Sequence, residues 1–405
     1  MRIFFSVGEP SGDLHAANLV THLQQRQPGV ECVGFGGPKM SAAGCHLLYD
    51  LTQLAVMFLG GALRNLKTFL GLIGQADRYF ANHTVDAVVL IDFSGFNWWI
   101  ARKAKKHGIP VFYYGVPQMW AWAPWRIRKL RRLVDHVLCK LPFEVEWFSK
   151  RGCRATYIGH PYFDQLFNQQ YDEPFIAEQQ SGPGRKLLLL PGSRDLEIEK
   201  HLAMMLETSK RLQAEHDGLK VLVACYNQKH LKVAHSLVEE KACDAECFVD
   251  RTPELMRVAD LCLACSGSVS LELLFHRKPT VIVYKIKRLE MLLQSIFLRC
   301  KYITLVNLIA SPDIRRTRFR VYRPEEPGPN PAPMPEFLTG HDCPDRLVIT
   351  LNDWLKDPDC LQRNRDQLDA IAEQYVSPGA TARAAEYLLA NLEFSATREK
   401  DRHVA

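Results

Sequence analysis

Short apolar runs alternate with amphipathic segments along the first part of the chain. Five runs predict strands, at residues 2–7, 30–34, 86–91, 110–114 and 135–139. The segments between them carry apolar residues at helical spacing, as at residues 14–25, 63–80 and 98–106. Near-continuous apolar strands separated by helices are typical of a parallel, doubly wound α/β sheet, because helices cover both faces of such a sheet.

The alternation stops at residues 167–185, which are rich in Gln, Pro and Gly and which we interpret as a linker. It resumes through KLLLLPGSR, KVLVAC, DLCLACSGS and PTVIVYK, again with helical patterns between the runs. We therefore expect two Rossmann-like domains that face a cleft, residues 1–166 and residues 186–376. Residues 311–335 are interpreted as a Pro-rich excursion from the second domain. Residues 377–394 are interpreted as a closing helix, and residues 395–405 as a frayed charged tail.

Composition excludes several classes of protein. The 405 residues are 47% hydrophobic and 24% charged with a net charge of +6, as in a folded protein with a mild basic surplus. The one C-x-x-C pair, Cys262 and Cys265, lies in a strand-like run that turns its side chains to opposite faces. We therefore interpret the twelve cysteines as scattered, mostly buried thiols and expect neither a metal site nor a cofactor. The amino terminus has the pattern of a first strand, and no apolar window is long enough to span a membrane, which predicts a cytoplasmic protein.

Two junctions in the first half place carboxylates where a strand ends. In GEPSGDLH, Glu9 follows the first strand, and Ser11 or Asp13 is predicted to cap the next helix. In VVLIDFSGFN, Asp92 follows four apolar residues. A carboxylate held rigidly at the floor of a cleft suits a general base, although Asp92 could equally cap a helix. Neither a G-x-G-x-x-G motif nor a Walker A motif is present, so nicotinamide and P-loop chemistry are not supported.

The first junction of the second half predicts a phosphate site. In LLLLPGSRDLE, the strand ends at a turn and a helix follows. Gly192 and Ser193 would expose backbone N–H groups at the start of that helix, and Arg194 would add a fork-shaped cation. An arginine on the surface after a turn is common, so this junction by itself is a weak signal for a ligand.

The next junction of the second half predicts the diphosphate more strongly. In ACSGSVSLE, a strand runs into Ser266, Gly267 and Ser268, which open a helix. Successive backbone N–H groups at a helix start form a concavity that binds anions. Glu272 lies one helical turn further along, within reach of a ribose on the same nucleotide.

Two Rossmann-like halves with a diphosphate site in the second form the architecture of GT-B glycosyltransferases, in which helix dipoles and arginine stand in for a metal ion. No D-x-D motif for such an ion follows any of the predicted strands. Taken in order, its motifs resemble those of one family, bacterial lipid-A-disaccharide synthase. The matching stretches are GEPSGD, GFGGPKMSAAGC, LAVMFL, LIDFSGFN, MWAW, LPFE, YIGHP, LLPGSR, CSGSVSLE, YITLVNLIA and PEFL.

The resemblance implies an inverting, metal-independent transferase of lipid A (lipopolysaccharide) biosynthesis. It would join UDP-2,3-diacylglucosamine to 2,3-diacylglucosamine 1-phosphate (lipid X) through a β-1,6 linkage and release UDP. Asp92 and Glu9 would activate the acceptor hydroxyl, and Asn307, in the family's Asn-Leu pair, would join the UDP-sugar site. The resemblance also implies peripheral association with the cytoplasmic face of the inner membrane and leaves a homodimer open. Gly95 stands where the family has a second acid.

The stretch MWAWAPWRIRKLRR places three tryptophans beside a run of cations. Because both implied substrates carry acyl chains, we interpret this stretch as a lipid contact. The predicted acceptor and lipid contacts are Ser11, Met119, Trp120, Trp122, Trp125 and Arg126. Nucleic acid is the weaker interpretation, because the chain is only mildly basic. A second patch at residues 284–301 has a similar apolar stripe, for which burial in the core and lipid contact are equally supported.

Two other classes of function remain open from the residues alone. A sugar-nucleotide 2-epimerase of the same fold would need acid and base groups around a sugar, but the tryptophan stretch would have no purpose in it. A non-catalytic family member that acts as a membrane scaffold is favoured slightly by Gly95. Against that scaffold, Glu9, Asp92, Arg194 and Glu272 are all present.

Overall fold

The computed structural model describes residues 1–54, 66–287, 290–291, 298–315, 324 and 332–404, with side chains described to residue 393. The chain divides into two compact units. Unit 1 comprises Met1–Asp164 with Pro378–Ala405, and unit 2 comprises Gln165–Ser377. Most of the LAVMFL motif, the apolar stripe of the second basic patch and most of the Pro-rich excursion lie outside the described residues.

Unit 1, in its described residues, contains a parallel sheet of seven strands in the order β3-β2-β1-β4-β5-β6-β7. The strands are β1 (Arg2–Val7), β2 (Glu31–Gly36), β3 (His46–Asp50), β4 (Ala87–Ile91), β5 (Val111–Tyr114), β6 (His136–Cys139) and β7 (Ala155–Tyr157). The five strands that the sequence predicts for this half are β1, β2, β4, β5 and β6, and all are confirmed. The strand order reverses between β1 and β4, so a crevice opens beyond their carboxyl ends.

Helices cover both faces of this sheet. They are α1 (Pro10–Arg26), α2 (Pro38–Ala42), α3 (Leu66–Asn82), α4 (Ser94–Lys106), α5 (Met119–Trp122), α6 (Ile127–Leu133), α7 (Pro142–Ser149), α8 (Pro161–Phe167), in which unit 1 ends, and the carboxyl-terminal α17 (Ala380–Val404). Phe5 of β1 lies in one core cluster with Leu19 of α1 and Leu388 of α17. Its neighbour Phe4 points to the opposite face, where its ring lies 4.9 Å from that of Phe80 in α3.

Unit 2 has a parallel sheet of six strands among its described residues, in the order β10-β9-β8-β11-β12-β13. The strands are β8 (Lys186–Leu190), β9 (Lys220–Cys225), β10 (Ala245–Val249), β11 (Leu261–Cys265), β12 (Thr280–Lys285) and β13 (Glu336–Thr339). Its helices are α9 (Glu173–Gln180), α10 (Asp195–Glu215), α11 (Gln228–Lys241), α12 (Thr252–Val258), α13 (Val269–Phe275), α14 (Leu305–Ala310), α15 (Pro344–Lys356) and α16 (Pro358–Tyr375). The order reverses between β8 and β11, which gives this unit a crevice of the same kind.

Four strands of the structure are missing from the sequence prediction, namely β3, β7, β10 and β13. They are the two edge strands of each sheet. Edge strands bury less apolar surface than central ones, and β3, β7 and β10 contain no fully buried residue. The apolar runs that reveal central strands are therefore absent from them. The twelve cysteines are free thiols, most of them buried, which agrees with the sequence interpretation.

The segment predicted as a linker contains a helix, so that prediction is wrong for residues 173–180. The Asp172 carboxylate accepts the Phe175 N–H at 3.1 Å and caps this helix, and Ile176 is buried. The frayed tail is also corrected, because α17 continues to Val404. No helix in the described part of the chain is long and apolar enough to cross a membrane.

Asp164 anchors the amino terminus of α17 within unit 1. Its carboxylate accepts the backbone N–H groups of Gly379, Ala380 and Thr381 at 2.6, 3.1 and 2.8 Å. These donors have no partner within their own helix, and a carboxylate also opposes the positive end of the helix dipole. The clamp therefore fixes the helix that returns to unit 1 after unit 2.

Replacing Asp164 with Ala should lower the free energy of unfolding of unit 1 by about 1–2 kcal/mol, since three amide donors lose their acceptor. Urea unfolding monitored by circular dichroism measures the change. Glu386→Ala is the matched control, because Glu386 is an exposed acid on the same helix. Equal midpoints for Asp164→Ala and Glu386→Ala would contradict the clamp.

Candidate active site

Glu9 and Asp92 lie at the crevice of unit 1. In the register of β1 and β4, Val7 pairs with Ile91, so the chain leaves both strands at the same edge of the sheet. Asp92 follows Ile91 directly, and its side chain is 21% exposed. Glu9 lies directly before α1, as its N-cap residue, and is exposed. Partial loss of solvent around its carboxyl raises the pKa of Glu9, and the nearby charge of Asp92 raises it further.

The chain turns sharply after β4. Asp92 and Phe93 both adopt left-handed backbone conformations, with φ of 47° and 35°. Such conformations cost about 1–3 kcal/mol each for residues other than glycine and are common at functional sites. Gly8 permits the turn, because a Cβ at Gly8 would lie 2.3 Å from the Phe93 ring. The turn directs Asp92 toward the start of α1, where a Cβ on Gly12 would lie 3.2 Å from Asp92 Oδ2.

Asn97 of α4 holds this turn in place and is fully buried. Its Nδ2 donates to the backbone carbonyls of Ser6, Ile91 and Asp92 at 3.2, 3.1 and 2.9 Å. Its Oδ1 accepts the Ser6 hydroxyl at 2.6 Å. The Tyr113 hydroxyl also donates to the Asp92 carbonyl, at 2.7 Å. The strained turn is thus bound to β1, β4 and β5 together.

The first junction contains one correction to the sequence prediction. Neither Ser11 nor Asp13 caps α1, whose N-cap residue is Glu9 and which has no side-chain cap. The buried Asp13 carboxylate instead accepts the N–H groups of Gly37, Lys39 and Met40 at 2.8–3.1 Å. It therefore caps α2, whereas Ser11 is exposed at the start of α1.

The tryptophan stretch separates into a buried part and an exposed part. Met119 and Trp120 are 2% and 3% exposed. The indole of Trp120 donates to Glu144 Oε1 at 3.0 Å, so the predicted lipid contact of these two residues is wrong. They lie in the core because buried Glu144 provides the acceptor that the indole needs. Trp122 and Trp125 are 42% and 61% exposed.

The exposed tryptophans belong to a basic surface of unit 1. We call it the tryptophan patch and define it as Trp99, Arg102, Trp122, Trp125, Arg126 and Lys129. The Arg102 guanidinium lies 4.8 Å from the Trp99 ring, and Trp99 is 48% exposed. Partial burial and the charges of Arg102 and Arg126 lower the pKa of Lys129, which places these three cations close together.

In unit 2, the turn after β8 brings Gly192, Ser193 and Arg194 to the crevice. Glu197 accepts the N–H groups of Ser193 and Arg194 at 3.1 and 3.2 Å, and its Oε1 accepts Arg194 Nη1 at 2.9 Å. Gly192 has a φ of 119°, and a Cβ there would lie 2.6 Å from Glu197. The Arg194 side chain is 79% exposed and so can reach a ligand.

The junction after β11 lies beside the one after β8, since these strands pair directly. The Ser266 hydroxyl donates to the Ile303 carbonyl at 3.5 Å, and Ser268 begins α13. No atom would lie within 4 Å of a Cβ on Gly267, so this backbone faces open space. Glu272 follows on α13 and is buried at 8% exposure.

Asn307 is the clearest correction in unit 2, because it is 1% exposed and its amide bonds inside the protein. Its Nδ2 donates to the Met334 carbonyl at 2.7 Å and to Glu336 Oε2 at 3.0 Å, and its Oδ1 accepts the Met334 N–H at 3.0 Å. These bonds use its polar atoms, which argues against the predicted contact with a nucleotide. Buried Glu336 also accepts the N–H groups of Ile303 and Thr304, so the pair fixes the start of α14.

Two further features bear on where a ligand could bind. A cavity of about 550 Å³ within unit 2 is lined by Tyr171, Arg257, Phe275 and His276, among others, and by none of the predicted site residues. It lies toward the start of β12, away from the carboxyl ends of the strands.

Among the described residues, no group of three or more His, Cys, Asp or Glu side chains could hold a metal ion. Gly95, which stands where the family has a second acid, lies beside open space, because a Cβ there would meet no atom within 4 Å.

Sequence reasoning missed Asn97, Lys140 and Glu336. Asn97 and Glu336 act through buried bonds to residues far away in the sequence, which no local pattern records. Lys140 follows β6 directly, and its Nζ lies 3.6 Å from Asp92 Oδ1. A cation at the carboxyl end of a strand beside two acids is a signal that the sequence contained.

Two doubly wound parallel sheets with polar residues at both switch points give the chain the two-domain α/β fold of the GT-B type. The calicheamicin glycosyltransferase CalG4 has this fold, with a TM-score of 0.59 at 15% identity over 98% of this chain and 99% of that one. A putative UDP-N-acetylglucosamine 2-epimerase from Listeria monocytogenes has a TM-score of 0.63 at 11% identity, over 97% and 96% of the two chains. At such identities the likeness concerns the fold alone.

The chain belongs to the lipid-A-disaccharide synthase family. The family model described as lipid-A-disaccharide synthetase matches residues 3–319. The lipid-A-disaccharide synthase of Myxococcus xanthus is 31% identical over 395 residues, which cover 96% of this chain and 97% of that protein. The same enzyme from Nitrosococcus oceani is 30% identical over 388 residues, with 95% of each chain covered. The resemblance seen in the sequence motifs is confirmed, and the chain is a glycosyltransferase of lipid A biosynthesis.

Glu336 makes the stability of unit 2 depend on pH. Burial raises the pKa of Glu336 to about 7 against the hydrogen bonds that favour its charged form. As pH rises, the unfolded chain therefore loses the Glu336 proton before the folded protein does. Because the folded state alone keeps the proton in between, the contribution of Glu336 to the stability of unit 2 falls as pH rises from about 5 to 7.5. Glu336→Gln cannot titrate at this position. The free energy of unfolding of the wild type minus that of Glu336→Gln should therefore decrease as pH rises across that window.

Urea midpoints of the wild type and Glu336→Gln, measured between pH 5 and 8, check this dependence. Glu246→Gln is the control, since Glu246 is an exposed acid on β10. A difference between wild type and Glu336→Gln that stays constant over the whole range would contradict the raised pKa.

Proposed function

We propose that this protein condenses UDP-2,3-diacylglucosamine with 2,3-diacylglucosamine 1-phosphate (lipid X), forms a β-1,6-linked lipid A disaccharide 1-phosphate and releases UDP. Family membership supports the class of product. The observation that carries the proposal is the rigid placement of Asp92 beside Glu9 at the switch point of unit 1. A transferase that activates a hydroxyl without a metal ion needs such a carboxylate.

The reaction that we propose is a single displacement with inversion at the anomeric carbon. Asp92 accepts the proton of the acceptor 6-hydroxyl while that oxygen forms a bond to the anomeric carbon of the donor. The bond from this carbon to the diphosphate breaks at the same time, and UDP leaves with the electron pair. Asp92 is the preferred base over Glu9, because its backbone is bound by Asn97 and Tyr113 whereas Glu9 is exposed.

The departing UDP would be bound by unit 2. Arg194 offers a highly exposed guanidinium beside the backbone N–H groups after β8. Ser266, Gly267 and Ser268 line the neighbouring crevice, where a diphosphate would meet open backbone. Glu272 follows on α13 as the ribose contact. Charged and backbone donors of this kind stabilise a leaving diphosphate without a metal ion.

We also propose that the tryptophan patch docks the protein peripherally on the cytoplasmic face of the inner membrane, where its acylated substrates reside. Tryptophan favours the membrane interface, because it has an apolar body and a polar N–H group. Each nearby Arg or Lys contributes about 1 kcal/mol at an anionic surface. Trp122, Trp125 and Trp99 supply the exposed rings, whereas Trp120 and Met119 are buried.

The direct experiment incubates the purified protein with both acylated substrates in detergent and EDTA, with products identified by mass spectrometry. A tetra-acyl disaccharide phosphate together with UDP is the expected result. If the donor binds but no disaccharide forms, even after a divalent metal is added, the proposed substrate pair is wrong and the scaffold interpretation is favoured.

Asp92→Asn should lower kcat at least 100-fold with little change in the dissociation constant of UDP, because the amide cannot accept the proton. Steady-state kinetics and isothermal titration calorimetry measure the two quantities. Glu9→Gln is the comparison and should lose less activity. An equal loss of turnover and UDP affinity in Asp92→Asn would contradict a role as base.

Arg194→Ala should weaken UDP binding about tenfold, since a charge-assisted hydrogen bond to phosphate is lost. Calorimetric titration with UDP measures the change. Arg211→Ala removes the same charge from the other end of α10 and serves as the control. If Arg194→Ala binds UDP as tightly as Arg211→Ala does, Arg194 is not a UDP ligand.

Replacing Trp122 and Trp125 together with Ser should reduce binding to vesicles of anionic phospholipid about tenfold, because the rings that would enter the interface are lost. Cosedimentation with vesicles measures the bound fraction. Ile349→Ser, an exposed apolar residue of unit 2 at 61% exposure, is the control. Wild-type vesicle binding by the double variant would exclude the tryptophan patch as the membrane contact.

A further inference from the structure

Lys140 is fixed at the edge of the unit 1 sheet by its backbone. It follows β6 directly, and its N–H donates to Glu144 Oε2 at 3.0 Å. Glu144 is buried and also accepts the N–H of Leu141 at 3.0 Å and the indole of Trp120 at 3.0 Å. The position of Lys140 is therefore set by a buried carboxylate that is bound on three sides.

The side chain of Lys140 extends from this anchor to Asp92. Its Nζ lies 3.6 Å from Asp92 Oδ1, and the two side chains are 23% and 21% exposed. Gly115, which follows the neighbouring strand β5, leaves space for it, because a Cβ there would lie 2.8 Å from Nζ. Gly115 also has a φ of 71°, which favours glycine. The sequence thus leaves β5 without a side chain where the ammonium group passes.

The surroundings of this ion pair contain many titratable groups. Those that face Asp92 or Lys140 are Glu9, His15, Tyr113, Tyr114, Glu144 and His160, and Lys39 and Asp164 face His15. Burial and, to a smaller extent, the charge of Lys140 lower the pKa of His15 to about 4. Burial and Lys140 also hold the pKa of His160 well below its ordinary value.

Both imidazoles are therefore neutral near pH 7, and neither compensates the acids. Burial raises the pKa of the tyrosine hydroxyls, so they are uncharged as well. Asp164 is bound to the start of α17, and Glu144 accepts the Trp120 indole and the backbone N–H groups of Lys140 and Leu141. Among the described residues, Lys140 is the cation that forms an ion pair with Asp92.

We propose that Lys140 is a positioning residue that orients the Asp92 carboxylate and offsets the charge of Glu9, a second acid, beside it. This inference rests on the proposed function, in which Asp92 accepts the proton of the acceptor hydroxyl. An opposite charge within about 4–6 Å favours the charged form of a carboxylate, and a like charge disfavours it. Lys140 thus opposes the effect of Glu9 on the base.

The expected effect on turnover follows from this placement. Without the ammonium group, the charge of Glu9 is unopposed and the Asp92 carboxylate loses the cation that holds its direction. In Lys140→Met, kcat should therefore fall about tenfold while the dissociation constant of UDP stays close to that of the wild type, because the proposed UDP ligands belong to unit 2. Methionine keeps an unbranched stem of similar length, so the packing around it changes little.

The first experiment compares kcat and the dissociation constant of UDP for the wild type, Lys140→Met, Lys140→Arg and the control Lys150→Met. Lys150 is a surface cation near the end of α7 whose side chain is 70% exposed, so its replacement should leave both quantities unchanged. Lys140→Arg should restore most of the wild-type kcat. A wild-type kcat in Lys140→Met would overturn the proposal, even if the variant were less stable.

The second experiment does not depend on the reaction. Urea midpoints at pH 7.5 are measured for the wild type, Lys140→Met, Asp92→Asn and the double variant. If the charges interact, the loss in the double variant should differ from the sum of the single losses. Additive losses would overturn the ion pair, whereas a wild type that forms no disaccharide would contradict the proposed function alone.

Discussion

A single buried carboxamide, that of Asn97, joins the carboxyl ends of β1 and β4 at the point where the strand order of unit 1 reverses. It binds the carbonyls of Ser6, Ile91 and Asp92, and it accepts the Ser6 hydroxyl. Two consecutive left-handed residues would not persist there without such bonds, because their strain favours a relaxed turn. The direction of the Asp92 side chain, its distance to Lys140 and its place beside Glu9 all depend on this amide.

The two units build their crevices by different physical means. In unit 1, buried side chains fix the backbone, as Asn97 does for the turn after β4 and Glu144 does for Lys140. In unit 2, a half-buried carboxylate, Glu197, gathers the backbone and the guanidinium of Arg194, which stays highly exposed. A carboxylate on a firmly bound backbone in one unit and an exposed cation in the other would suit the proposed proton transfer and the proposed binding of a leaving diphosphate, respectively.

The sequence predicted the central strands, the two doubly wound sheets and the carboxylates at their edges, because continuous apolar runs and strand-end acids are local signals. It missed the four edge strands, and three of them, β3, β7 and β10, contain no fully buried residue. It assigned Trp120 to lipid, because the acceptor that draws its indole inward, Glu144, lies 24 residues further along the chain. Asn307 was misjudged for the same reason, as its partner Glu336 follows 29 residues later. Local patterns define strands, whereas buried polar partners come from the fold.

The measurement that tests the account most directly is the turnover of Asn97→Ala together with its affinity for UDP. If the amide holds the base in position, kcat should fall at least tenfold while the dissociation constant of UDP stays close to that of the wild type, because the proposed UDP ligands belong to unit 2. The retained affinity would also report that unit 2 is folded, and circular dichroism would report on unit 1. A folded variant with wild-type kcat would contradict the dependence of the chemistry on this turn.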